Sequence, residues 1–167
     1  NAAATTCGAI IENASGLSIE DFSTQHLFNP LDIQTHYWGK YPDGTYDTDG
    51  SLALRARDLA KIGQLILEKG SWNGKEILTA DWVLESTKKQ LNRTSEIGYG
   101  YYWQQTSIQF KNEKRKTIFG WGDGGQFLFI FPEINTVIVS NAGNYGEGED
   151  SVIFEMLKNY ILPAIAN

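Results

Sequence analysis

One cysteine, Cys7, in 167 residues excludes an internal disulfide and any zinc site built on cysteine. Its apolar helical neighbours, Ile10 and Ile11, predict a small buried hydrophobe rather than a reactive thiol. No apolar run approaches the roughly 18 residues of a membrane span, and no leader pattern opens the chain. Cations are also in deficit. Fourteen basic against twenty acidic residues give a net charge of −6, which excludes nucleic acid as the expected partner, because phosphate binding needs a cationic footprint. The densest basic run, Lys111 to Lys116, is short and polar and predicts a solvated hairpin loop.

What is present is ordinary for a globular chain: 41% apolar and 20% charged residues, enough for one domain or two small ones. Aromatics are the exception at 13%, with five Trp and eight Tyr, and suggest a cleft or an interface.

The first half reads as helical. Residues 2–14 form an Ala-rich helix that Gly16 ends in a left-handed conformation, and Ser18 with Asp21 resembles a capping box for a second helix to about Leu27. Asn29-Pro30 stops it. Residues 32–50 are polar and rich in turn residues, which predicts a long loop. Leu59, Ile62, Leu65 and Ile66 mark one face of a helix from 56 to 69. Trp72-Asn73-Gly74-Lys75 makes a turn, and Thr79 caps a helix through Lys88.

The period then changes. Tyr99, Tyr101 and Trp103 alternate as in a strand, and their shared face is expected in the core. Strands follow at 116–119, 126–131 and 136–141, with a tight hairpin at Pro132-Glu133-Ile134-Asn135. Val152, Ile153, Met156, Leu157, Tyr160 and Ile161 stripe a closing helix. The fold class is α+β: a helical part over 1–97, then a C-terminal antiparallel sheet and closing helix over 98–167. Three or four strands under one helix leave one sheet face without an evident partner.

Single motifs carry little chemistry. Gly120-Trp121-Gly122-Asp123-Gly124-Gly125 satisfies the dinucleotide pattern G-x-G-x-x-G, but that chemistry needs a helix N-terminus after the glycines, and Gln126–Phe131 is strand-like. A glycine-bare strand can instead bring backbone close to a ligand, or be a plain bulge. His26 and His36 lack metal-ligand spacing, and Asp47 and Asp49 suit a turn better than a cation.

The ordered set of segments is more specific. Gly8-Ala-Ile-Ile-Glu12, Leu27-Phe-x-Pro-Leu31, Gly50-Ser-Leu-Ala-Leu-Arg-Ala-Arg-Asp-Leu-Ala-Lys-Ile-Gly63, Trp72-Asn-Gly-Lys75, Gly98-Tyr-Gly-Tyr-x-Trp103, Gly122-x-Gly-Gly-Gln126 and Pro132-Glu133 run through nearly the whole chain. Together they resemble the C-terminal half of the serine β-lactamase-related superfamily, which spans class C β-lactamases, DD-peptidases and esterases.

That resemblance implies an incomplete β-lactamase/transpeptidase-like fold and a serine hydrolase working through an acyl-enzyme, with lysine and tyrosine moving protons and two backbone amides as oxyanion hole. No cofactor is implied. Asn1, seven residues before Gly8, falls where the family has the Asn of Tyr-x-Asn; it is either that residue or the remnant of a cloning tag. Gly120, Trp121 and Gly122 fall on the Lys-Thr-Gly strand as substrate-binding residues, and the backbone of Asp123 supplies an oxyanion amide. The Ser-x-x-Lys nucleophile motif is expected upstream, because Ser86-Thr-Lys-Lys89 lies on the wrong side of these landmarks. Glycine at 120 departs from the lysine that binds a carboxylate in true β-lactamases, and Arg55 replaces a helix-capping Thr.

The implied substrate is a small ester, amide or peptide; the other partners are the N-terminal half of the same protein and a second copy paired along an open sheet edge. The chain alone is then inactive. A periplasmic or secreted location follows from the family alone. The alternatives are a carbohydrate- or peptide-binding module using the aromatic strand and loop 32–50, and a relative that has lost catalysis.

Overall fold

The computed structural model describes residues 2–111, 113–146 and 149–165. The chain divides into two compact units, residues 1–58 and 59–167. The boundary near residue 97 suggested by the change of period falls inside the second unit, between two paired strands.

The first unit opens with α1 (Ala2–Ser15). Gly8 is its buried residue, and a Cβ there would lie 2.7 Å from Thr48. This close approach fixes which face of α1 is covered. Cys7, one residue round the helix, is exposed, as is Ile10 at 59%. The burial expected of Cys7 is thus corrected: the packing face is made by a glycine, not by the apolar side chains beside it. Gly16 ends α1 at φ 72°, as its position suggested.

Ser18 caps α2 (Ile19–Ser23) by accepting from Asp21 N–H at 3.0 Å, and a π-helical turn, Thr24–Phe28, continues it. Ile19, Phe28, Leu31 and Ile33 form the buried apolar set. Segment 32–50 is more regular than a loop. β1 (His36–Trp38) pairs antiparallel with β2 (Leu52–Leu54), and Lys40 bridges Tyr46 around a turn at Gly44. Asp47 organises this turn: Ser51 and Tyr41 hydroxyls and Asp49 N–H donate to its carboxylate, and the Ser51 bond leads in holding its pKa below the usual carboxylate range. Its turn-forming role accounts for the residue without a cation.

The second unit holds most of α3 (Ala56–Leu67), the hairpin of β3 (Ser71–Trp72) and β4 (Lys75–Glu76), and α4 (Ala80–Thr87). Asn73 and Gly74 both take positive φ, the condition for a two-residue primed turn. Thr79 caps α4 by accepting from Trp82 N–H at 3.2 Å. Six antiparallel strands then form one sheet in the order β10-β9-β8-β7-β6-β5: β5 (Leu91–Asn92), β6 (Gly98–Tyr99), β7 (Gln104–Phe110), β8 (Glu113–Gly122), β9 (Gln126–Phe131) and β10 (Thr136–Ser140). The run Lys111 to Lys116, expected as a loop, is corrected: Glu113, Lys114, Arg115 and Lys116 belong to β8, and Asn112 lies outside the described residues.

Two expectations about this region change. Tyr101 and Tyr102 are not on a strand. Gly100 N–H donates to Trp103 C=O at 2.8 Å and closes a turn with Tyr102 at φ 63°, so the two tyrosines are 47% and 49% exposed. A Cβ at Gly100 would lie 2.6 Å from Ser86 C=O, so only glycine lets this turn pass the end of α4.

Both sheet faces are covered. On one, Phe119, Phe127, Phe129 and Phe131 pack with Ile108 and Phe110 against Ile153, Phe154, Leu157 and Leu162 of the C-terminal helices, α5 (Glu149–Met156), a π-helical turn and α6 (Leu162–Ile165). On the other, Ile130 meets Ile66 of α3 and Val83 of α4. Gly63 lets α3 come down on the sheet, since a Cβ there would lie 2.6–2.7 Å from Val137 and Leu128 methyls. The face expected to be bare is therefore filled by helices that precede the sheet in sequence.

Candidate active-site strand

Gly120, Trp121 and Gly122 are the last three residues of β8, and Asp123 opens the turn to β9. The register with β7 stops at Gln104 opposite Phe119, while that with β9 continues through Gly120–Leu128, Trp121–Phe127 and Gly122–Gln126. The tip of β8 thus projects beyond one neighbour while the other still holds it. There is no bulge: the pairing is regular to its last residue.

The turn is held from outside. Gly124 and Gly125 take φ 78° and 81°, conformations that L side chains rarely adopt. Asn144 N–H donates to Gly124 C=O at 3.1 Å, and Gln126 Nε2 donates to Ala142 C=O. The Tyr145 ring lies over Gly124, where a Cβ would come within 2.7 Å of it. Asp123 is exposed beside these fixed glycines.

Side chains alternate along β8, so Trp121 lies on the opposite face from Gly120 and Gly122. Its indole stacks on Phe127 at 6.4 Å and 5°. The Arg93 guanidinium lies 4.2 Å over the same indole and donates from Nη1 to Gln104 Oε1 at 2.6 Å, with Gln104 itself 4% exposed. Arg93 and Gln104 carry no sequence pattern that assigns them to the site; the fold alone brings them to Trp121. Asn1 lies outside the described residues.

Other candidates resolve simply. Ser86 is 6% exposed, and its hydroxyl donates to Val83 C=O at 3.2 Å inside α4, which suits a structural residue and not a nucleophile. His36 sits 3.2 Å from Glu20, beside the Phe28 ring. Among the described residues no group of three or more His, Cys, Asp or Glu could hold a metal ion, and no helix is long and apolar enough to cross a membrane. β9 follows the glycine turn directly, so the helix N-terminus required for pyrophosphate binding does not occur there. Arg55 meets the vacant capping role differently: its Nε donates to the buried Asp58 carboxylate at 2.7 Å in the first turn of α3.

The result is an antiparallel sheet covered by helices on both faces, with a glycine-rich strand tip running past one neighbour. The Beta-lactamase family model matches residues 1–150, and the chain belongs to that family. It is 27% identical over 146 residues to the 6-aminohexanoate-dimer hydrolase of Paenarthrobacter ureafaciens, covering 78% of this chain and 35% of that protein. Among solved structures, a Bacillus anthracis protein provisionally named a 6-aminohexanoate-dimer hydrolase matches with TM-score 0.75 at 22% identity over 94% of this chain and 40% of that one. The octameric penicillin-binding protein homologue of Pyrococcus abyssi matches with TM-score 0.71 at 19% identity, over 90% of this chain and 39% of that one. The chain thus spans 35–40% of the length of these three relatives.

Proposed function

We propose that the chain is the C-terminal part of a serine hydrolase that cleaves small esters or amides through an acyl-enzyme. The observation that carries this reading is the strand tip Gly120–Gly122 with its fixed turn, in a chain of the Beta-lactamase family; in this reading the bare backbone lies along the substrate and the Asp123 N–H serves as an oxyanion donor. The tetrahedral intermediate of acyl transfer places a negative oxygen that needs such donors at about 2.7–3.1 Å. The named activity of the Paenarthrobacter relative, on an aminohexanoate dimer, favours a linear amide over a β-lactam. The glycine at 120 points the same way.

The nucleophile belongs to a Ser-x-x-Lys upstream of residue 1, since a serine hydroxyl needs an adjacent base to attack. The 167-residue chain alone is expected to leave p-nitrophenyl esters and nitrocefin intact and to take no fluorophosphonate label, whereas the full-length protein labels on one serine. Stoichiometric labelling of any serine of this chain would overturn the assignment. Absence of label on the full-length protein would favour the second reading, a binding module, for which the exposed pair Trp82 and Tyr101, 5.9 Å apart, is the supporting observation.

The outer edge of β10 is proposed to pair with a further strand, from the N-terminal part of the same protein or from a second copy. Among the described residues β10 has a strand partner on one side, β9, and an edge strand presents unpaired N–H and C=O groups that template such pairing. Sedimentation of the isolated chain should therefore show a concentration-dependent dimer. A monomer at high concentration with β10 amides protected from exchange would count against it.

A further inference from the structure

The face of β8 opposite Gly120 carries a cation placed for recognition. A guanidinium is a planar fork of five N–H donors. In Arg93 one of these is held by the buried Gln104 amide oxygen, and the guanidinium carbon lies 4.2 Å over the Trp121 ring. The Gln104 bond uses one donor of the fork, and a cation–π contact uses none. No carboxylate of the described residues forms an ion pair with Arg93, and the residue is exposed. A long side chain already fixed by a hydrogen bond and a stack loses less entropy on meeting a ligand. Its fork also matches a carboxylate in two parallel bonds. In a chain of net charge −6 such a fixed cation stands out electrostatically.

Resting on the hydrolase reading above, we infer that Arg93 is the anion subsite of this site and receives a carboxylate carried by the substrate on the Trp121 face of β8. A lysine at position 120 would project from the other face, because successive residues of a strand alternate. The carboxylate is therefore presented from a different side than a Lys-Thr-Gly strand would receive it. That geometry selects a linear substrate with a charged end.

The test uses the full-length protein with mono-p-nitrophenyl glutarate and p-nitrophenyl butyrate, which differ in one terminal carboxylate. Arg93→Gln should lower the ratio of kcat/KM for the charged over the neutral ester by roughly 10- to 100-fold, through KM. Arg93→Lys should restore part of that ratio, since it keeps the charge and loses the fork. A structural role would depress both esters together and leave the ratio unmoved, which overturns the inference. If neither ester is turned over, the hydrolase reading fails, and equilibrium binding decides for Arg93. Glutarate binding that glutaramide does not share, and that Arg93→Gln abolishes, upholds the anion subsite. Equal binding of the two, or none, sinks it.

Discussion

Gly122→Val in the full-length protein is expected to lower turnover per folded molecule by about 10²–10³, the loss of roughly 2.7–4 kcal/mol that follows removal of one oxyanion donor. The position is well placed for such a test. Gly122 is exposed, its φ lies outside the left-handed region, and it pairs in register with Gln126. A Cβ there would meet Gln126 Cβ at 3.4 Å, an ordinary van der Waals contact. Valine also suits a strand, so the fold has no reason to fail. What valine is expected to change is the strand tip itself, by adding a branched side chain beside the cleft and tilting the Asp123 amide. Asp123→Asn should be mild, because the amide and not the carboxylate acts, and Trp121→Ala should chiefly alter substrate preference. A Gly122→Val protein with normal urea midpoint and normal turnover would remove Asp123 from the oxyanion site.

The regular pairing at Gly122 came from the fold, and its absence from the sequence has a cause. Gly120-Trp121-Gly122-Asp123-Gly124-Gly125 is compatible with a bulge, a turn or a straight strand, because glycine leaves all three open. Gln126 and Phe131, by contrast, were legible as the ends of a strand from an unbroken apolar run. The Pro132–Asn135 turn was equally plain, with Asn135 at φ 48° closing a short 3-10 turn. Thr79 and Ser18 announced their helices because a hydroxyl cap is a local interaction.

Contacts that join distant segments were not legible. β7, Gln104–Phe110, shows mixed polarity in sequence because it buries Gln104, Ile108 and Phe110 but leaves Ser107 and Gln109 to solvent. The closing helix shows the same limit. Its π-helical turn at Leu157–Ile161 shifts the register, so Leu157 and Leu162 are buried while Tyr160 is 73% exposed, against the stripe drawn at a uniform 3.6-residue period. Arg93 over Trp121 is the extreme case, a contact between residues far apart in the chain with no periodicity to announce it.

Phe129→Ala is expected to be among the most destabilising single changes in the second unit, at about 3–5 kcal/mol. Phe129 is 0% exposed on β9, a central strand flanked by β8 and β10. Its ring stacks with Phe127 at 5.0 Å and with Phe119 at 5.7 Å, and meets Phe154 of α5 edge-on at 5.5 Å and 82°. Truncation would remove the transfer energy of the ring and also leave a cavity that three fixed aromatic neighbours cannot fill. Each lost aromatic pair adds about 0.5–1.5 kcal/mol beyond area. The neighbours are fixed because Phe119 and Phe127 belong to the same sheet register that carries Trp121 and Gly122. The cluster therefore supports the strand tip as well as the sheet. Tyr160→Ala, at an exposed position on the closing helix, provides the scale and should cost within about 0.5 kcal/mol. Phe129→Leu should fall between, because an aliphatic side chain fills part of the volume without restoring the stacks. Urea unfolding of the three variants reads the order directly. A Phe129→Ala midpoint no lower than that of Tyr160→Ala would mean that this aromatic layer does not hold the sheet to the C-terminal helices.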